Sequence, residues 1–170
     1  KVAPSLYFTV ALKSDGTIWA WGQDDYNQTG NPPATASQNT PIQVGVATDW
    51  IDIAVGTSRT AFALKADGTL WGWGANEGYL LETNSSVYSL SSPTQITQIT
   101  TWIKFSVGAQ HMLAQKADGT LWSWGTGAAR GIGEGIPSSN TAYQIDESVW
   151  TYFTTGLGTS FGIKTDGTLW

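Results

Sequence analysis

Apolar and polar positions alternate with a period of two along most of the chain, and the alternation breaks at Gly, Pro and Asp-Gly steps. Residues 60–66 and 69–73 show it best: Phe62 and Leu64 fall on one face of the first run. On the second run Trp71 and Trp73 share one face and Leu70 and Gly72 the other. Side chains of a strand point to opposite faces in turn, so this period predicts strands. Asp-Gly between two such runs predicts a tight hairpin closed by a type I′ turn, which needs positive φ at both residues. The residue between the paired tryptophans is small each time (Ala20, Gly72, Ser123), which lets a neighbouring layer approach closely. An upstream run also alternates: Ile51, Ile53 and Val55 are expected on one face, matched by Ile103, Phe105 and Val107. Gly56, Gly108 and Gly156 then end that run at a turn. The segments PIQV (41–44), PTQI (93–96) and AYQI (142–145) supply a fourth short strand. No window carries a helical period with caps.

These runs repeat. Asp-Gly-Thr occurs at 15–17, 67–69, 118–120 and 166–168, each followed by an apolar residue and Trp. Lys13, Lys65, Lys116 and Lys164 precede the four aspartates by the same step. WIDIAVG (50–56), WIKFSVG (102–108) and WTYFTTG (150–156) form the upstream block. All 10 Trp fall in these registers, so they read as repeat-core residues rather than a substrate platform. The structural repeat set is Asp15, Gly16, Trp21, Trp50, Asp67, Gly68, Trp73, Trp102, Asp118, Gly119, Trp124, Trp150, Asp166 and Gly167. Four short antiparallel strands per repeat predict an all-β fold, a β-propeller of four-stranded antiparallel blades. Residues 1–170 then form a single propeller segment of roughly three and a third blades, in registers of about 1–49, 50–101, 102–149 and 150–170, the last incomplete. Closing a ring takes roughly four to eight blades. The chain is therefore expected to be part of a larger ring, completed by further blades of the same chain or by other copies.

The repeat resembles the regulator-of-chromosome-condensation family, whose unit reads approximately G-x-x-H-x-x-A-L, then D-G, a few apolar residues, and W-G-x-N-x-x-G-Q-L-G. Gly108, His111 and Ala114 match its first part, and Asp118, Gly119, Trp124 and Gly125 its second. The first repeat carries the tail best, with Trp21, Gly22, Asp24 at the Asn position, Asn27 at a Gly position, Gln28 and Gly30. Asn at a Gly position is reasonable because it tolerates the left-handed conformation. The tail departs from the pattern at ANEGYLLE (75–82) and TGAARGIG (126–133). The resemblance implies a propeller, seven-bladed in the best-known members. It also implies a spread of roles: nucleotide exchange on a small GTPase, chromatin binding, ultraviolet sensing or enzyme inhibition. No Gly-Trp-Arg-His-Thr string occurs, which removes the ultraviolet sensor. The Lys-x-Asp-Gly-Thr-Leu-Trp style, with its abundant Thr, Ser, Gln and Asn, resembles bacterial surface and bacteriophage members.

Composition narrows the chemistry. With 13 acidic and 8 basic residues the net charge is −5, which argues against nucleic acid, because phosphate demands a basic face. No apolar stretch is long enough for a membrane span. There is no Cys and a single His, so no metal and no cofactor is expected. His111 sits where other repeats carry Phe8, Thr60 and Thr159, so its slot reads as structural rather than catalytic. The run from Asp25 to Gly30 opens like a calcium loop but lacks the closing Glu, since position 36 is Ala36. Asp24–Asp25 and Asp146–Glu147 read as solvated loop pairs, and RGIGEG (130–135), with no Lys-Ser/Thr after it, as a turn.

What remains is the long loops at roughly 23–40, 75–92 and 126–141, which vary while the strands repeat. Their candidate binding residues are Tyr26, Tyr79, Tyr88 and Arg130, because Tyr and Arg give large contact area at modest entropic cost. The first expectation is a non-enzymatic propeller presenting variable loops to a protein or a surface glycan. The setting expected for it is extracellular or virion, as a bacteriophage tail or fibre component or a bacterial surface recognition protein. One alternative is a purely structural virion or assembly component. Another is a regulatory protein-interaction module, like an exchange factor or an inhibitor. No nucleophile–base–orienter set survives the repeat analysis, so no enzyme is expected.

Overall fold

The computed structural model describes residues 1–32, 36–57, 59–81, 87–126 and 138–170. The first sheet is a meander of β1 (Val2–Pro4), β2 (Phe8–Leu12), β3 (Ile18–Gln23) and β4 (Ser37–Gln43). The second repeats it with β5 (Trp50–Val55), β6 (Thr60–Lys65), β7 (Leu70–Ala75) and β8 (Ser89–Gln95). The third comprises β9 (Trp102–Val107), β10 (His111–Lys116), β11 (Leu121–Gly125) and β12 (Ser139–Gln144). A fourth sheet pairs β13 (Trp150–Thr155) with β14 (Ser160–Lys164). All pairings are antiparallel between chain neighbours. The first strands touch one another in series, β1 with β5, β5 with β9 and β9 with β13. They are the inner strands of stacked propeller blades. The fourth strands β4 and β8 are largely exposed or half-buried and form the rim.

The central strands are buried on both faces. In β6, Ala61 and Ala63 join Phe8, Val10, Ile18 and Ala20 in the interior between the first and second blades. Phe62 and Leu64, on the other face, join Trp102, Phe105, Met112 and Trp124 between the second and third. The expected faces of β7 are seen as well. Trp73 packs into the first interface and Leu70 into the second. A Cβ on Gly72 would lie 2.5 Å from Leu81 Cδ2 and 3.1 Å from Ile96 Cγ2, so the small residue between the tryptophans makes room for side chains of its own blade, from the long loop and the end of β8, rather than for the neighbouring blade.

The inner strands depart from the predicted alternation. The register shifts between Trp50 and Asp52, which leaves Ile51 as an extra residue, 53% exposed. β9 has the same irregularity opposite Gln115 and Lys116, and Ile103 is also 53% exposed. A bulge adds one residue and so reverses the facing of what precedes it. Trp50 and Ile53, three apart, therefore enter the same interior, as do Trp102 with Phe105 and Trp150 with Phe153.

The Asp-Gly hairpins also differ from expectation. Gly16 N–H donates to the Lys13 carbonyl at 3.1 Å and Lys13 N–H to the Thr17 carbonyl at 2.9 Å; the other three hairpins repeat this pattern. Gly16, Gly68, Gly119 and Gly167 have φ of +77°, +80°, +84° and +83°, while the preceding aspartates do not have positive φ. This is a three-residue loop with glycine alone left-handed, not a two-residue type I′ turn. The aspartate is used differently: Asp67 Oδ1 accepts from Thr69 N (2.9 Å) and Thr69 Oγ1 (2.6 Å), and Trp71 Nε1 donates to that Thr69 oxygen at 2.8 Å. The four hairpins share this Asp–Thr–Trp chain.

Candidate functional site

In a meander the connections leave alternate ends of the sheet. The Asp-Gly-Thr hairpins and the links between blades lie at one end, hereafter the hairpin face. The inner turns (5–7, 56–59, 108–110, 156–159) and the long loops after β3, β7 and β11 lie at the other, the loop face.

The hairpin face is uniform. Lys65 Nζ lies 4.9 Å from both the Trp50 and Trp71 rings, and Lys116 and Lys164 likewise sit between two tryptophans of their own blades. Cation–π attraction explains the lysine two residues before each aspartate. Lys65 also pairs with Asp49 at 3.2 Å and Lys164 with Asp146 at 2.8 Å. The Thr69 hydroxyl and then its backbone N–H hold the Asp67 carboxyl below the usual carboxylate range, and Asp118 and Asp166 are lowered in the same way. The carbonyls of the first three hairpin glycines also accept the first N–H of the next blade: Trp50 N donates to Gly16 O at 3.3 Å, Trp102 N to Gly68 O at 3.1 Å and Trp150 N to Gly119 O at 3.1 Å. These groups are engaged with one another and serve to fasten blade to blade.

The loop face is not uniform. Asp24, expected to be solvated, is buried and accepts from Thr29 N at 2.9 Å, which closes the 24–30 loop on itself. Asn27 holds φ +60° there, as its glycine-like position requires. Trp73 Nε1 donates across the interface to Gln28 O at 3.0 Å, and Trp124 Nε1 to Leu80 O at 3.0 Å. The second tryptophan of each pair thus reaches back and anchors the long loop of the preceding blade. On this support stands an aromatic cluster with one cation. The Tyr26 and Tyr88 rings are 5.5 Å apart at 41°, with their hydroxyls 3.3 Å apart. The Arg59 guanidinium lies 4.7 Å from the Tyr7 ring and 4.8 Å from the Tyr26 ring. Tyr7 is 46% and Tyr88 71% exposed.

Of the loop residues chosen from sequence, the structure brings Tyr26 and Tyr88 together, from loops of two different blades. Tyr79 does not join them. It follows Gly78, which lies against Gln110 of the third blade, and precedes Leu80 and Leu81 of the second interior. Arg130 lies outside the described residues. Tyr7 and Arg59 were missed, although the sequence carried a signal. Gly56 N–H bonds the Thr60 carbonyl, whereas Gly108 bonds His111 and Gly156 bonds Thr159. The second blade's inner turn is one residue longer, and Arg59 fills it with φ +60°. His111 is buried at the seam of the third and fourth blades, with Nε2 3.0 Å from Ser160 Oγ. Burial pushes its pKa below the ordinary value, which a hydrogen bond donated by the ring to the Thr159 backbone carbonyl only partly offsets. Among the described residues no three His, Asp or Glu side chains converge as metal ligands.

Three comparisons with known proteins bear on this geometry. The model of the regulator of chromosome condensation (RCC1) repeat matches residues 15–63 and 67–115, and a second model of that description matches residues 1–28. The chain belongs to the regulator of chromosome condensation repeat family. Among its relatives, protein pim1 of Schizosaccharomyces pombe is 25% identical over 159 residues, 83% of this chain and 30% of that protein. The human regulator of chromosome condensation is 25% identical over 148 residues, 85% of this chain and 33% of that protein. The human E3 ubiquitin-protein ligase HERC2 is 29% identical over 147 residues, 84% of this chain but 3% of the ligase. This family segment thus spans a third or less of these relatives. Among solved structures, human WBSCR16 superposes with TM-score 0.85 at 19% identity, over 99% of this chain and 46% of that one. Prp20p of Saccharomyces cerevisiae, described with its binding properties to Gsp1p and histones, superposes with TM-score 0.81 at 19% identity, over 96% and 43%. These neighbours show the propeller fold. The relatives named here are eukaryotic proteins and fit the regulatory, protein-interaction alternative. None of them supports the tail-fibre, host-attachment, extracellular, virion or glycan-binding expectation, which rested on a style of composition alone.

Proposed function

We propose that this chain is a protein-binding segment of a regulatory propeller and engages its partner through the loop face at the seam of the first and second blades. The observation that carries this reading is the Tyr7–Arg59–Tyr26–Tyr88 cluster, assembled on the surface from four separate turns of two blades. Rigid aromatic and arginine side chains on an interface lose little entropy on binding and dominate its energy. Binding, rather than bond chemistry, is the role proposed, since His111 faces a neighbouring blade and meets no carboxylate among the described residues. The hairpin face, whose cations already lie on tryptophans, is the support.

The test uses defined probes. Immobilised chain is presented with Gsp1p and, separately, with core histones, and bound probe is measured. A Tyr26→Ala/Tyr88→Ala double variant is expected to lose about tenfold or more in affinity, with little change in thermal midpoint, because Tyr88 is exposed and Tyr26 half-buried, outside the interior between the blades. A hairpin-face variant, Lys116→Met, is expected to bind as the wild type does. Equal affinity of the tyrosine variant and the wild type, or loss confined to the hairpin-face variant, contradicts the proposal.

A further inference from the structure

We propose that the seam between the first two blades on the loop face is a groove for an extended acidic segment of a protein partner, with Arg59 reading its carboxylate. This rests on the protein-binding reading above and names the chemistry that the site selects.

Arg59 is held as a cation without an anion. Its guanidinium lies between the Tyr7 and Tyr26 rings, at 4.7 and 4.8 Å. Its Nε is buried and has no hydrogen-bond acceptor, and among the described residues no carboxylate comes within ion-pair distance of the side chain. The residue as a whole is half-buried, so an acceptor from outside meets the terminal nitrogens of the guanidinium rather than the enclosed Nε. Two flanking rings fix the plane of the fork, and a planar fork matches a carboxylate through two parallel bonds.

The backbone bears the same mark. Arg59 adopts φ +60°, a conformation that glycine takes without penalty and a long side chain does not. Its carbonyl is pinned by Ala75 N–H at 3.1 Å, so the extra residue of this turn has a fixed direction. A strained residue that persists on the surface marks a candidate functional position.

A second feature adjoins it. Pro4, Ser5, Leu6, Val55, Gly56 and Thr57, from the same two inner turns, line a depression of about 260 Å³. Within it the Ser5 hydroxyl oxygen is buried and has no partner, and Leu6 stands 83% exposed. An exposed apolar contact beside a carboxylate site suits a peptide, which supplies an apolar and an acidic side chain together. The chain's own nearby acids are engaged elsewhere: Asp24 on Thr29 N–H, Asp25 on the Gln23 amide. A polyphosphate or nucleic acid would need several cations. Arg59 is the one cation in the described loops of this face, and the chain carries net charge −5.

The test is a random short-peptide library displayed against the full chain and against Arg59→Gln and Arg59→Gly variants. One enriched peptide is then synthesised with its Asp and Glu and with Asn and Gln in their place. The wild type is expected to enrich acidic peptides. Arg59→Gln, and separately the amide peptide, should each lose about tenfold or more in affinity. Arg59→Gly should lose the same affinity with a thermal midpoint equal to or above that of the wild type, because glycine relaxes the left-handed turn; that result separates a binding residue from a packing residue. Enriched peptides without acids, or an acidic peptide bound equally by Arg59→Gln, overturn the carboxylate inference and leave the broader reading standing. A wild type that enriches no peptide, together with no capture of Gsp1p or histones, overturns both.

Discussion

The two faces of this propeller segment are made by the same strands, yet their ends differ in kind. On the hairpin face each blade closes with one unit: a left-handed glycine, an aspartate gripping a threonine, the threonine gripping a tryptophan, and a lysine over that ring. These groups engage one another within the unit or across to the next blade, and the atoms left without a partner at this end are the enclosed indole N–H groups of Trp50 and Trp102. On the loop face only the anchors repeat, where Trp73 and Trp124 reach the carbonyls of Gln28 and Leu80. Beyond the anchors the loops differ, and the unsatisfied atoms of Arg59 and Ser5 collect there. A scaffold spends its regularity on one side and leaves the other side free to vary, so substitutions on the two faces should fail in different ways.

The largest effect is expected at a hairpin glycine. Gly68 and Gly45 both hold positive φ, +80° and +62°. A Cβ on Gly68 would lie 2.5 Å from Thr100 O, while at Gly45 nothing lies within 4 Å. Gly45→Val should therefore show the conformational penalty alone, about 1–2 kcal/mol. Gly68→Val adds a clash with the backbone of the link to the third blade, for a total of about 3 kcal/mol or more. Urea midpoints of the two variants measure the difference, and equal midpoints would contradict the role of this turn as a fastener between blades. Probe binding per folded molecule should stay unchanged in both.

Next comes the anchor that joins the faces. Trp73→Phe removes volume from a fully buried site and strands the Gln28 carbonyl, at a cost of about 2–3 kcal/mol. Trp71→Phe breaks only the bond to the Thr69 hydroxyl on a half-buried ring, about 1 kcal/mol. The sharper distinction is functional. Trp73→Phe frees the loop that carries Tyr26 and should weaken probe binding beyond its effect on stability, whereas Trp71→Phe should not. Hydrogen exchange of the Thr29 and Gly30 amides, faster in Trp73→Phe alone, is the structural readout.

This asymmetry also governs what could be read in advance. The all-β architecture and the faces of the central strands were legible because each is a local rule repeated several times. Two errors came from treating a local motif as sufficient. Asp-Gly suggested a two-residue turn, but Thr69 offers Asp67 two donors, and the three-residue loop satisfies both. Strict alternation along 50–55 failed because a bulge at Ile51 turns both Trp50 and Ile53 inward, a gain that only the neighbouring blade supplies. The site was less legible for the same reason. Tyr26 and Tyr88 stood out by residue type, but their meeting depends on two loops that lie 62 positions apart. Arg59 announced itself only through turn length, a single added residue against the pattern of Gly108 and Gly156.

The smallest effect separates the faces by pH, and its sign follows from the direction of two sets of shifts. On the hairpin face the Asp67, Asp118 and Asp166 carboxyls are lowered, by the threonine hydroxyl first and its backbone N–H second. A carboxyl lowered by folding stabilises above its unfolded pKa, about 4, and that contribution is lost as pH falls through the folded value. At the loop-face end of the third blade His111 is lowered by burial, so the unfolded chain takes up its proton first. Its effect therefore begins higher, as pH falls below the unfolded value of about 6.5, and grows until the folded ring is itself protonated. Thermal midpoints followed downward from neutral pH should thus decline in two stages. His111→Gln should flatten the first stage alone. Asp67→Asn, which keeps an oxygen for the Thr69 donors but carries no charge, should shrink the second alone, by the share that Asp118 and Asp166 do not carry. A single acid transition that both substitutions shift together would mean that the two ends of the blades are not energetically separate. The comparison between a self-satisfied face and an open one would then lose its thermodynamic basis.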